Sequence, residues 1–233
     1  LTLAPTTILR LSGLNSRLGQ ARFFGGTYTL INNGLIELNA LNGQSVFISP
    51  STFTNNGILR SIGVGAANLQ IGFTNGATGQ FQINAGTFTM GTGTTPWSNL
   101  GSIAMNNAVV NLDGLFTTAG LGNFTRSGGT VNLTGTLNNT GSTFTLNATT
   151  GSWILVGGTL RGGTLVQTGG AGFAFANNSN NTFDGVTVDG DLTLASNSSV
   201  LIILNGLTVN GVVRITGNDS TFGFRHTQTF TGT

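Results

Sequence analysis

This 233-residue sequence predicts an all-β fold, a right-handed parallel β-helix (β-solenoid) with three short strands per coil, on three observations. First, TFDGVTVDGDLTL at Thr182–Leu194 returns as ILNGLTVNGVVRI at Ile203–Ile215, an offset of 21 residues. Second, a weaker copy, LRGGTLVQTGG, sets Leu160, Gly162, Thr164 and Leu165 at 23 residues before Phe183, Gly185, Thr187 and Val188. A period of about 20 to 25 residues is a solenoid signal, because one such unit buries its apolar face only against its neighbours, and the length then allows about ten coils. Third, Gly or Asn interrupts the chain throughout while Thr, Val, Ile and Phe abound, a composition that favours strands and turns over helices.

Within one period each element has a reason. Val186 and Val188 alternate with polar neighbours, as a half-buried strand does. Asp189-Gly190-Asp191 turns the chain, Leu192 and Leu194 alternate again, ASNSS at 195–199 turns it once more, and VLIIL at 200–204 closes the circuit. The 21-residue alignment lays Phe183 on Leu204, Thr187 on Thr208, Val188 on Val209 and Leu192 on Val213. Gly185, Gly190, Gly206 and Gly211 fall at the corners, where a positive φ or the close approach of a neighbouring coil excludes a side chain. Elsewhere [Gly/Ala]-Gly-Thr at Gly25, Ala85, Gly128, Gly157 and Gly162, and Asn-Asn-Gly at Asn32 and Asn55, read as turns that enter strands.

Stacking makes equivalent positions of successive coils vertical neighbours. Phe, Val, Leu and Ile are expected to pile up inside. Asn at a recurrent turn position can both donate and accept along the axis, whereas Asp only accepts, so Asp184 and Asp189 are expected to pair with Asn205 and Asn210 above them. Arg161 aligns with Asp184 and predicts an inter-coil ion pair. The expected organisation is a single solenoid domain over residues 1–233, less regular at 1–24 and 221–233, and either a segment of a larger protein or a stacking subunit, because neither end reads as a cap.

Composition narrows function. Only 6% of residues are charged and the net charge is +2, which builds no concentrated basic field and argues against nucleic-acid binding. Every Lys/Arg position is Arg, so lysine-dependent Schiff-base and P-loop chemistry is excluded, and with no Cys so are disulfides, thiolate metal sites and a Cys nucleophile. No apolar run is long enough to be a membrane-spanning helix.

The local concentration of carboxylates is Asp184, Asp189 and Asp191, which could offer oxygen ligands to Ca²⁺ at a corner. Turn chemistry explains them better, since the next coil carries Asn205, Asn210 and Val212 instead. His226 lacks a hydrolase context and receives no role, and Glu37 and Asp113 are isolated acids that form no evident glycosidase pair. No catalytic or cofactor-binding residue and no cofactor is expected. Thr-aromatic-Thr triplets at Thr27, Thr52, Thr87, Thr143 and Thr229 suggest an outward Thr array of the kind that meets ice, but their uneven spacing argues against one flat face. The sequons at Asn123 and Asn132 follow from a Thr- and Asn-rich composition.

GGTVNLTGTLNNTGSTFTL, GGTLRGGTLVQTGG and FDGVTVDGDLTL resemble the loose repeats of large bacterial secreted β-helix proteins, autotransporter passenger domains and filamentous-haemagglutinin-like adhesins, over roughly residues 25 to 220. The resemblance implies export to the cell surface and a rigid, non-catalytic adhesive or fibre role, with end-to-end self-association or contact with surface polysaccharide. The chain also resembles parallel β-helix pectate lyases in its Asn and aromatic texture, without counterparts of their Ca²⁺-binding acids and catalytic Arg. A carbohydrate-binding or carbohydrate-active β-helix is therefore the alternative expectation, followed by an ice-binding solenoid.

Overall fold

A computed structural model describes residues 1–19 and 26–232. Arg22 and the turn opening at Gly25 lie outside the described residues. Strands and turns make up nearly all of the described chain, and one four-residue helix, Thr118–Leu121, is capped by the Thr117 hydroxyl, which accepts from Gly120 N–H. The strands stack in parallel to form β-solenoid coils, about nine among the described residues where about ten were expected. Part of the difference lies in the first circuit, where Leu3 pairs with Asn32 and Arg10 with Glu37, a longer advance than the 20 to 24 residues between later rungs. Contacts divide the chain into two compact units, Leu1–Thr130 and Val131–Thr233.

The first unit shows three strands per coil. One face stacks Thr2–Leu3, Thr29–Asn32, Thr52–Asn55, Phe73–Asn75 and Ser98–Asn99. The second runs from Ile8–Ser12 through Leu35–Asn39, Ile58–Ser61, Gln80–Ile83 and Ser102–Asn106 to Asn123–Ser127. The third stacks Ser16–Gly19, Ser45–Ser49, Ala66–Leu69, Thr87–Met90 and Val109–Leu112. Alternate residues point inward, so Ile36, Leu59, Phe81 and Ile103 form one buried column and Val46, Ala67, Phe88 and Val110 another. Trp97 stacks between Phe73 and Phe116, with centroids 5.2 and 4.3 Å away. Its indole N–H donates to Asp113 O, which satisfies the polar end of a buried ring.

A corner of this core is polar. Asn32 donates through Nδ2 to Asn55 Oδ1, Asn55 to Asn75 and Asn75 to Asn99, each at 2.7 Å, and Asn99 ends the run on Leu121 O at 2.9 Å. All four are essentially inaccessible. An amide has a donor and an acceptor, so a single residue type continues the chain from coil to coil. The Asn ladder expected on stacking grounds therefore exists, but it is anchored by the Asn-Asn-Gly turns at Asn32 and Asn55.

In the second unit Thr182–Asp189 and Val200–Asn210 each run across a corner as one hydrogen-bonded strand. The sequence alignment holds on one side of that corner: Thr187 pairs with Thr208, Val188 with Val209 and Leu192 with Val213. On the other side it is one residue out, since Phe183 pairs with Ile203 and Asp184 with Leu204. A bulge between Asp184 and Val186 absorbs the slip, with Gly185 at φ 64° opposite Asn205 at φ 53° and Gly206 at φ 93°. Gly211 needs no positive φ; a Cβ there would sit 2.5 Å from Gly190 O, so close approach is what requires glycine.

Candidate functional site

Outward positions form ordered columns. On the second face of the first unit Arg10, Glu37 and Arg60 are register partners. Arg10 Nε lies 2.9 Å from Glu37 Oε1 and Arg60 Nη2 2.8 Å from Oε2. Glu37 is 7% exposed. Burial of its carboxyl disfavours the charge, but the hydrogen bonds from Arg10 and Arg60 outweigh that and hold the group below its ordinary value of 4.5. A depressed folded value stabilises the fold above the unfolded value, and that contribution is lost as pH falls through the folded one. Urea melts are expected to weaken below about pH 4.5, and Glu37→Gln should flatten that dependence; an unchanged pH slope in the variant would remove Glu37 as its source.

In the second unit, Thr143, Thr164, Thr187, Thr208 and Thr231 occupy one vertical column, with Thr208 and Thr231 hydroxyls 2.9 Å apart. The triplets that suggested an array do not build one together: those at Thr52 and Thr87 lie on different faces of the first unit. The column beside the threonines holds Thr145, Val166, Asp189 and Asn210, so the regular Thr array is one residue wide. Its members follow one another at 21 and 23 residues, a signal present in the sequence but not singled out by triplet spacing.

The acidic corner is dispersed into separate partnerships. Asp184 accepts from Arg161 Nε at 3.0 Å and from Asn205 Nδ2 at 2.6 Å, as its place between those two coils predicts. Asp189 pairs in register with Asn210. Asp191 accepts from Val212 N–H at 2.9 Å and from Arg214, and these bonds, the backbone one first, hold its carboxyl below the usual range. Among the described residues no cluster of three or more His, Cys, Asp or Glu side chains could hold a metal ion. Glu37 is committed to its two arginines, Asp113 caps its own turn through Gly114 N–H, and His226 lies exposed at φ 64°.

Asp191 also borders a concavity of about 620 Å³ in the second unit, whose rim includes Ser152, Thr193 and Ser196 and whose wall is the glycine-rich turn Gly169–Gly172. Gln167 crosses it: its Oε1 accepts from Phe173 N–H and its Nε2 donates to Asp191 O, both at 2.7 Å. Sequence reasoning missed this residue, because a Gln beside a Gly-rich turn carries no spacing or motif that distinguishes it. No family model, no curated protein and no solved structure matches the chain.

Proposed function

We propose that the chain is a non-catalytic structural or adhesive solenoid that works outside the cell, by holding rows of side chains in fixed register for contact with surfaces and with further coils. The observation that supports this reading is axial continuity. The Asn32–Asn55–Asn75–Asn99 run and the Arg10–Glu37–Arg60 run each repeat one interaction from coil to coil, and the Thr143-to-Thr231 column keeps one residue type in register across five strands. Such runs commit their polar groups to neighbouring coils along the axis, and with only 6% of residues charged the faces carry little charge.

The last described coil fits a stack that continues, through further coils of a longer chain or through another copy. Thr221–Phe224 and Phe230–Gly232 pair with Val200–Asn210, and Phe222, Phe224 and Phe230 cluster with centroids 5.0 to 6.0 Å apart. Phe224 and Phe230 are 44% and 49% exposed. A strand edge beside exposed aromatic rings is a surface on which another coil can continue the stack. Electron microscopy of native material is expected to show assemblies longer than one chain. Short monomers with no longer parent chain would remove the reading.

A further inference from the structure

Six Asn-Gly dipeptides punctuate the chain, at Asn33, Asn42, Asn56, Asn75, Asn205 and Asn210. Each carries a latent reaction, attack of the glycine nitrogen on the Asn side-chain carbonyl carbon, because glycine has no Cβ to shield that nitrogen or to restrict rotation around it. Attack needs the peptide between the two residues to turn about the Asn Cα–C bond until its nitrogen faces Cγ. A hydrogen bond at either end of that peptide opposes the turn.

Five of the six are held. Gly34 N–H donates to Asn32 Oδ1 at 3.1 Å and Gly206 N–H to Gln228 Oε1 at 2.8 Å. Gly57 N–H donates to Asn32 O and Gly76 N–H to Asn55 O, while the carbonyls of the same two peptides accept from the Thr78 hydroxyl and from Leu100 N–H. Asn210 O accepts from Gly190 N–H at 3.2 Å, at the end of a paired strand. The bonds that build the coils thus hold the peptides that the reaction must turn.

Asn42 differs. Leu41–Gln44 is a type II turn, closed by Gln44 N–H on Leu41 O at 2.9 Å with Gly43 at φ 72°. Among the described residues, neither end of the Asn42–Gly43 peptide has a hydrogen-bond partner, and the Asn42 carboxamide has none. Turn types I and II differ chiefly in the orientation of this central peptide, so it can rotate while Leu41 and Gln44 stay in place. Leu41, Asn42 and Gly43 are exposed, and nothing lies within 4 Å of where a Gly43 Cβ would sit. The flanks are anchored instead: Ala40 O accepts from Gly65 N–H at 2.8 Å and Gln44 O from Ala66 N–H at 2.9 Å.

We propose that Asn42 is a site of spontaneous covalent modification, deamidation through a succinimide with water as the sole co-reactant. Gly43 N bonds to Asn42 Cγ and loses its proton to solvent; the Cγ–Nδ2 bond breaks, and the amide takes a proton from solvent to leave as ammonia. Water then opens the ring. Cleavage of the new Cγ–N bond gives Asp, and cleavage of the original C–N bond gives isoaspartate, in which the main chain runs through Cγ. Either product places a carboxylate in a corner whose residues 40–44 and 62–65 carry no charge and which exposes Leu41, Ile62 and Val64. Because both flanks of the turn are bonded to the next coil, the change stays within the turn.

The test incubates the whole chain in warm buffer at one fixed pH and follows the six Asn-Gly peptides by mass spectrometry. The expected result is conversion at Asn42 about tenfold faster than at any of the other five, since each of those must first release a bond. The product should gain the mass of water less that of ammonia, take up one heavy oxygen from isotopically labelled water, and include isoaspartate. In strong denaturant the six rates should converge, because the dipeptide chemistry is the same. A native rate at Asn42 no faster than at the others, a ranking that persists in denaturant, or a product without isoaspartate would each overturn the proposal. Asn42→Asp, which installs the charge directly, should leave the circular dichroism spectrum and the urea midpoint unchanged; a lowered midpoint would overturn the confinement of the change to the turn.

Discussion

Asn55→Ala is expected to destabilise the first unit by about 3 to 5 kcal/mol, because it cuts a buried chain of amides in the middle. Asn55 is fully buried, accepts from Asn32 and donates to Asn75. Truncation leaves the Asn32 donor and the Asn75 acceptor facing a void that neither can leave. Each orphaned group costs about 1 to 3 kcal/mol, and the cavity adds to that. The next residue is the control. Asn56 donates to Asn33 in a partly buried pair beside solvent, so Asn56→Ala should lose only about 1 kcal/mol. Urea denaturation of both variants measures the difference, and similar midpoints would show that the buried ladder contributes no more than its exposed neighbour.

Gly101→Ala should weaken the same unit about as much, for a steric reason. A Cβ at Gly101 would lie 2.1 Å from Gly79 O and 2.5 Å from Gly76 O, both backbone atoms of the preceding coil. Gly79 O accepts from Ser102 N–H at 3.0 Å and from Asn75 Nδ2 at 3.0 Å, so displacing it disturbs an inter-coil bond and the amide ladder together. Overpacking costs about 1 to 3 kcal/mol and each lost bond about 1 kcal/mol more, which puts the expected loss at about 3 to 5 kcal/mol. Gly43→Ala separates this from backbone strain. Gly43 has φ 72° and nothing within 4 Å of its Cβ position, so that variant should lose about 1 to 2 kcal/mol. If calorimetric unfolding placed Gly101→Ala at or above the stability of Gly43→Ala, the close approach of coils would not be what fixes glycine there.

Both expectations show how far the sequence could be read. The 21- and 23-residue offsets placed Leu160 over Phe183, Arg161 over Asp184 and Thr187 over Thr208, and the structure pairs each of them so. They did so because parallel stacking turns a sequence period directly into vertical neighbours. The same reasoning slipped by one residue at Phe183, where a bulge adds a residue to one strand and leaves the glycines aligned in sequence. A bulge changes hydrogen bonding without altering composition, so an alignment that matches residue types passes over it.

The candidate sites were less legible. The Asp184, Asp189 and Asp191 cluster stands out because it is close in sequence, yet Asp184 and Asp191 are each bound to a different neighbouring arginine. The Arg10–Glu37–Arg60 run, buried only at Glu37, and the Gln167 bridge join residues from separate coils or across a turn, and no motif marks them.

The sequence by itself determined the architecture: an all-β chain that coils with a period near that of its repeats, buries alternating Phe, Leu, Ile and Val, and turns on Gly and Asn. Those features are periodic and local, and each coil meets the same requirement as the one before it. Only the tertiary structure decided which Asn column is buried, where one strand pairing fails and which side chain bridges the opening. These depend on the length of each turn, which shifts the register of the coil that follows by a residue or two and so selects the partners of every side chain above it.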